Sequence, residues 1–318
     1  MQGLQAGYIM TRYTKTPSGK YIQRKPDRLK LYLSQHTVPV PAPWLAAADP
    51  EPQIQQPGTS SDRPYRTDTF DSRKLAGVEL TLLGAGSMAS HMARQLGPAQ
   101  PLLNVMDDKT VQVKHTEGGR TAYTPDQIGE RKVEALRSIV ERDYPGTKVI
   151  PYPYKTSDIP DVELQQIFAR SFVVVMAMDD PPEILRNAKL IYPLTELVQV
   201  AAHRGAVSGH IVLSSPFATP CLACTLNVSG ASDIRRLDSE PANSWDIVAI
   251  AQLAARMVID IVYSKVTGQP ITRWDTSKNL IYISNTRQEL SPDGPGLHHE
   301  GSTRRPDCPI CGRHRNLF

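Results

Sequence analysis

The 318 residues are 40% hydrophobic and 21% charged and carry a net charge of +4. That is enough chain for a large core and one or two domains, and too small a charge excess to argue for a nucleic-acid partner. No apolar run reads as a bilayer span and the N-terminus lacks the apolar stretch of a secretory signal, so neither membrane nor export is expected.

Residues 1–33 hold Arg12, Lys15, Lys20, Arg24, Lys25, Arg28 and Lys30 against Asp27 alone, a local +6 that leaves about −2 for everything else. This basic N-terminal extension reads either as an arm for an acidic partner or as a solvated tail. Residues 34–68, rich in Pro, Gln, Ser and Asp, bury little apolar surface and read as a Pro-rich linker. The compact part is expected over 69–318.

It opens with Val78–Leu83, a short apolar run suited to a buried strand. Gly84-Ala85-Gly86 follows, where the backbone can turn tightly and approach a ligand. Ser87–Leu96 suits a helix whose first N–H groups face that turn, an anion site. Ala89 is small enough for close helix–strand packing. Leu102–Met106 is a second strand, and Asp107 stands at its end, where a ribose-binding acid falls in nucleotide-binding βαβ units. Asp108–Pro125, with Lys109, His115, Gly118-Gly119 and Arg120, is too polar for a core element. A helix then leads from Asp126-Gln127-Ile128-Gly129 to about Asp143, burying Val133, Leu136, Ile139 and Val140.

Val149–Tyr152 reads as a strand and Asp161–Ala169 as a helix. Phe172–Met178 is the most strand-like stretch, and Asp179-Asp180 leave it directly; two carboxylates there are expected to face a cleft rather than the core. A helix runs to Ile191, where Pro193 breaks it, and another is expected to continue to His203. Ala206–Leu213 and Leu280–Ser284 read as strands, the second as the last. Ile247–Val262 is a helix apolar nearly all round, either deeply buried or at a subunit interface. The alternation implies an α/β fold with a doubly wound, mostly parallel sheet.

Cys221-x-x-Cys224 and Cys308-x-x-Cys311 use all four cysteines. Each pair can aim two thiolates at one ion, and together they complete a tetrahedral, closed, structural Zn²⁺ site that ties the C-terminal tail to the body. Paired CxxC motifs point to metal rather than disulfides, hence to a reducing compartment, the cytoplasm. Two separate redox motifs are the alternative, and His298, His299 and His314 are substitute ligands.

The ordered set GAGSMAS, Asp107, DQIGERK, MAMDD, CLAC and RRPDCPICG resembles the ubiquitin-activating E1-like adenylyltransferases, the ThiF/MoeB group of thiamine and molybdopterin sulfur-carrier activators, over about residues 70–318. The resemblance implies a Rossmann-like domain, usually a homodimer. It implies use of ATP and Mg²⁺ to adenylate the C-terminal carboxylate of a ubiquitin-like protein, sulfur carrier or peptide. Gly84 and Gly86 would form the nucleotide turn, Asp107 would bind the ribose, Lys132 and Arg120 the phosphates, and Asp179 the metal, with Asp180 beside it. Arg63 or Arg66 would reach the phosphates across a dimer.

This chain departs from the family pattern in two ways. His115 stands near a usual Asn, with Arg120 five residues on rather than three. No cysteine remains for a thioester, and a hydroxyl such as Ser239 lacks thiolate nucleophilicity. Activation is therefore expected to stop at the acyl-adenylate, to be attacked by an amine, a sulfur donor or a downstream conjugating protein. A nicotinamide-dependent oxidoreductase on the same βαβ unit and a non-catalytic E1-like partner protein are the alternative readings.

Overall fold

The computed structural model describes residues 12–15, 21–24, 70–216, 218–234, 242, 244–271, 273–275, 277–286 and 295–312. The chain divides into two units, Met1–Arg63 and Pro64–Phe318. In the first, an antiparallel hairpin pairs β1 (Arg12–Lys15) with β2 (Tyr21–Arg24), so the basic extension contains an element that its composition did not announce. The remainder of that unit and the whole of the expected linker, 34–68, lie outside the described residues.

The second unit is built on one eight-stranded sheet. Its strands are β3 (Glu79–Leu83), β4 (Leu102–Met106), β5 (Lys148–Tyr152), β6 (Val173–Met176), β7 (Glu196–Ala202), β8 (Ser208–Ser214), β9 (Leu280–Ser284) and β10 (Gly296–Glu300). They lie in the order β5-β4-β3-β6-β7-β8-β9-β10. The first five are parallel, and β8, β9 and β10 add on antiparallel.

Helices cover both faces. On one lie α1 (Ser87–Leu96), α2 (Lys132–Asp143) and α5 (Ser244–Thr267). Met92, Leu96, Leu136, Ile139, Ala254 and Val258 there pack with Leu82, Val105, Val175 and Val200 of the sheet. On the other lie α3 (Asp161–Arg170) and α4 (Pro181–Ile191), joined by the four cysteines. The expected stripe Val133, Leu136, Ile139 and Val140 is buried, as is Ala89. Twenty-four residues long and largely apolar, α5 passes for a membrane span by length and composition, contrary to the expectation that no such run exists. Half of its apolar window is buried, which fits a core helix.

Two expectations are corrected, and the direction of β8 is added. The segment to His203 is strand β7, not helix. Leu197 enters the core on one face while Val198 and Val200 enter the other, a period of two that a helix does not give. Strand β8 runs antiparallel because Arg204–Ala206 is a three-residue turn, too short for a crossover. Leu280–Ser284 is not the last strand; β10, which is mostly polar, follows it.

Order and register decide where a ligand fits. Leu83 is level with Met106 on one side and Met176 on the other, so β3, β4 and β6 end in one row. The chain crosses to opposite faces between β3 and β6, the switch point where open α/β sheets leave a crevice.

Beyond that row, β7 and β8 enclose a chain of side-chain hydrogen bonds. His203 Nδ1 lies 2.8 Å from Ser208 Oγ and His203 Nε2 lies 2.9 Å from His210 Nδ1. His210 Nε2 lies 3.0 Å from Gln199 Oε1. One proton assignment satisfies all three contacts with both rings neutral: hydroxyl to His203, His203 to His210, His210 to the amide oxygen. Burial holds both rings below the ordinary histidine range, His210 down to about 4. The unfolded chain therefore binds more protons than the folded one as pH falls from about 6.5 towards 4, and stability drops through that window. Urea midpoints at pH 7.5 and 5.0 are expected to show the loss, and the double change His203→Asn, His210→Gln should shrink it. An equal loss in the variant would place its origin elsewhere.

Candidate functional site

The floor of the crevice is the turn after β3. Gly84 sits at φ +95°, and a Cβ there would come within 2.7 Å of the Ala177 carbonyl oxygen at the end of β6. Only glycine combines that backbone with that approach. Gly86 precedes α1 with no side chain capping the helix and open space where its Cβ would stand.

Asp107 closes the turn from the β4 side. Its Oδ2 accepts from the Ala85 N–H at 2.8 Å and its Oδ1 from the Lys109 N–H at 2.8 Å. The carboxylate is thereby locked, half-exposed, between the glycine turn and the start of the polar loop.

That loop is pinned to the entry of α2. Lys132 N–H donates to Lys109 O at 2.9 Å, Val111 N–H to Glu130 O at 2.9 Å, and the Arg131 guanidinium to Asp108 O at 2.6 Å. The Tyr123 hydroxyl donates to Ala85 O at 2.6 Å and lies 3.3 Å from Lys132 O, bracing the turn against the helix from within the core. No motif identified Tyr123 in advance.

The first residue of α2 is Lys132, only 4% exposed. Its ammonium has neither hydrogen-bond nor ion-pair partner among the described residues. Burial lowers its pKa, with Asp107 and Asp179 opposing and Lys109 and Lys114 reinforcing the shift. A buried cation so placed is stabilised by an incoming anion.

Asp179 follows β6 on the other side of the turn, well exposed, 3.5 Å from the Lys109 ammonium. It is not a helix cap; Asp180 holds that position before α4 and makes no side-chain capping bond.

His115 and Arg120 stand on the loop above. Within the helical turn Val113–Thr116, His115 Nδ1 accepts from the Gln112 N–H at 2.8 Å while the Gln112 side chain accepts from the His115 N–H. Burial, then Lys132, Lys114, Arg120 and Lys109, push His115 down to about 4. The structure thus brings Gly84, Asp107, Lys132, Asp179, Arg120 and His115 to one end of the sheet and adds Lys109 and Lys114. Arg63, Arg66 and Ser239 lie outside the described residues.

A second cluster lies under the α3–α4 face. The sulfurs of Cys221, Cys224, Cys308 and Cys311 are all buried and all within 4.8 Å of one another. Sγ of Cys221 is 3.3 Å from that of Cys308, and Cys224 is 3.5 Å from Cys311, so none is disulfide-bonded. Zn–S bonds of ~2.3 Å set tetrahedral sulfurs about 3.8 Å apart. The N–H groups of Arg305 and Ile310 point to Cys224 and Cys308 at 3.2 and 3.4 Å, as suits thiolate acceptors. The donor set fits a soft metal ion. His298 and His299 lie on β10 and are not members of this group; His314 lies outside the described residues.

No protein-family model matches the chain, and neither does any curated protein sequence. Solved structures share the fold. Escherichia coli MccB with succinimide superposes at a TM-score of 0.59 and 16% identity, covering 76% of this chain and 68% of MccB. MccB with ATP gives the same values. MccB, described as the microcin C7 biosynthetic enzyme, in complex with N-formylated MccA gives 0.59, 16%, 76% and 69%. PaaA matches at 0.52 and 16% identity over 72% of this chain and 74% of its own. At that identity the likeness speaks to the fold.

The electrostatic surroundings of His115 are open to measurement. Its imidazole is expected to titrate near 4 by NMR, against 6.5 for a free histidine. A midpoint above 6 would mean that the ring is neither buried nor faced by the cations as described.

Proposed function

We propose that the chain is an ATP-dependent adenylyltransferase acting on the C-terminal carboxylate of a peptide or ubiquitin-like protein. The supporting observation is Lys132, a buried residue at the start of α2 whose ammonium has no hydrogen-bond or ion-pair partner among the described residues and is acted on by Asp107 and Asp179. Such a site suits a nucleotide: ribose hydroxyls at Asp107, phosphates at the open start of α1, and the triphosphate charge at Lys132, Lys109, Lys114 and Arg120. The fold is shared with MccB, solved with ATP and with MccA, which favours a peptide carboxylate.

In the proposed reaction an oxygen of the substrate carboxylate attacks the α-phosphorus, a new P–O bond forms, and the bond to the β-phosphate breaks. The electron pair leaves with pyrophosphate. The lysines and Arg120 stabilise that developing charge more than the ground state. Asp179, exposed towards the crevice, would hold Mg²⁺, which neutralises the phosphates when bound. The four cysteines would hold Zn²⁺ in a closed, structural site.

A nicotinamide cofactor would use the same turn and Asp107 but leave Lys132 and Asp179 without a task. Calorimetry is expected to show binding of ATP·Mg²⁺ in preference to NAD⁺, and Asp179→Ala, an exposed change, should weaken it by at least about tenfold, or about 1.4 kcal/mol. Preference for NAD⁺, or unchanged affinity in the variant, would remove the assignment. Metal analysis should find about one zinc per chain, reduced in Cys308→Ser; a metal-free wild type would refute the four-cysteine site.

A further inference from the structure

We infer that His115 is a neutral, tautomer-locked hydrogen-bond donor to the anion that occupies the cluster of Lys109, Lys114, Arg120 and Lys132. The inference deepens the proposed nucleotide site, on which it rests for the identity of that anion.

The tautomer follows from hydrogen bonding. His115 Nδ1 accepts the Gln112 N–H at 2.8 Å, so Nδ1 carries no proton and a neutral ring must carry its proton on Nε2. The same bond fixes the ring's direction, and the reciprocal bond from the His115 main-chain N–H to the Gln112 side chain closes the capping box. His115 Nε2–H then meets no protein acceptor among the described residues.

The charge state follows first from burial of the ring and then from the neighbours. The groups acting on the ring are Lys132 at the start of α2, Lys109 after β4, and Lys114 and Arg120 on the loop itself, all cations. Asp107 and Asp179 act on Lys132 in the same cluster. A fifth positive charge here would be repelled, so the ring stays neutral at physiological pH.

A neutral donor supplies something the four cations do not. Ammonium groups on flexible stems attract an anion with little directional demand. An imidazole held by a capping box offers one N–H in one direction. Such a group orients a phosphate oxygen without adding to the charge that must be overcome when pyrophosphate departs. His115 is therefore an anion-binding residue whose ring is acted on by these four cations.

The test compares wild type with His115→Ala and His115→Gln, using ATP·Mg²⁺ and inorganic tripolyphosphate as separate calorimetric probes. Glutamine is a standard residue at this capping position and keeps both an acceptor and a neutral donor. His115→Ala is expected to bind both probes about tenfold more weakly, in line with a hydrogen bond to a charged group, and His115→Gln within about threefold of wild type. In ¹⁵N-histidine spectra of wild type, Nε2 should be the protonated nitrogen, and its signal should move when tripolyphosphate is added. A purely structural cap would not produce that movement. Wild-type affinity in His115→Ala, or an Nε2 signal unmoved by tripolyphosphate, would overturn the assignment while leaving ATP binding intact. Binding of tripolyphosphate but not ATP·Mg²⁺, weakened in His115→Ala, would sink the nucleotide reading and keep the histidine. Binding of neither probe would remove both.

Discussion

Two backbone amides, those of Ala85 and Lys109, close on the carboxylate of Asp107. One belongs to the glycine turn after β3, the other to the polar loop after β4, and the acid itself ends β4. The bond pair therefore joins three segments that the sheet alone places only side by side. Loss of the carboxylate would leave the half-buried Ala85 N–H without an acceptor, at a cost of about 1–3 kcal/mol, while the exposed Lys109 N–H would turn to water. It would also detach the start of the loop that carries Lys109, Lys114, His115 and Arg120 from the turn, leaving that loop held by its bonds to the entry of α2. The Tyr123 hydroxyl completes the frame from behind by holding Ala85 O. The frame is rigid where the turn meets the sheet and open where a ligand would enter.

That frame carries an unbalanced set of charges. Lys109 is answered by Asp179 at 3.5 Å, but both groups are well exposed and such a pair contributes at most about 1 kcal/mol. Lys132 is buried, with no such answer among the described residues. Folding has thus placed a partly desolvated cation at a switch point, stabilised among the described residues by more distant carboxylates, chiefly Asp107. A polyanion is the ligand class that relieves this arrangement, which is why affinity for triphosphate, rather than overall resemblance of the fold, decides the functional reading.

Much of the site's backbone was legible in the residues. Helix α1, strand β4 and the burial of Val133, Leu136, Ile139 and Val140 coincide with their expected places, because apolar periodicity and the glycine turn act locally. Sequence analysis also singled out Gly84, Asp107, Lys132 and Asp179, which share one end of the sheet. Strand β7 was misread because Leu194–His203 follows a helix and carries no breaker after Pro193. Its extended form depends on a neighbour, β6, and on helices covering both faces. Strand β10 was invisible for the opposite reason: Gly296–Glu300 is held by pairing with β9, not by its own composition. Tyr123 and the cations acting on His115 were equally out of reach. Tyr123's place and the nearness of these charges to His115 arise from how the loop folds back on the start of α2, through contacts such as Thr110 with Arg131 that no spacing rule encodes.

The cysteines place a chemical limit on whatever the crevice activates. All four lie within one buried cluster, so a metal bound there would leave no thiolate to form a thioester. The cluster also packs beneath α3 and α4, on the sheet face opposite α1 and α2. An activated carboxyl group formed at the switch point would therefore have to meet its acceptor from outside this cysteine set. Within the chain, the neutral Ser208–His203–His210–Gln199 network ends β7 on the same side of the sheet as Asp179, since β6 and β7 run parallel in register. Each ring nitrogen there is already engaged, so accepting a proton from an incoming nucleophile would require the Ser208 hydroxyl to turn away first. The proton an attacking amine must lose is thus better given to solvent or to the departing phosphate than to these histidines, and their part is to hold the end of the sheet.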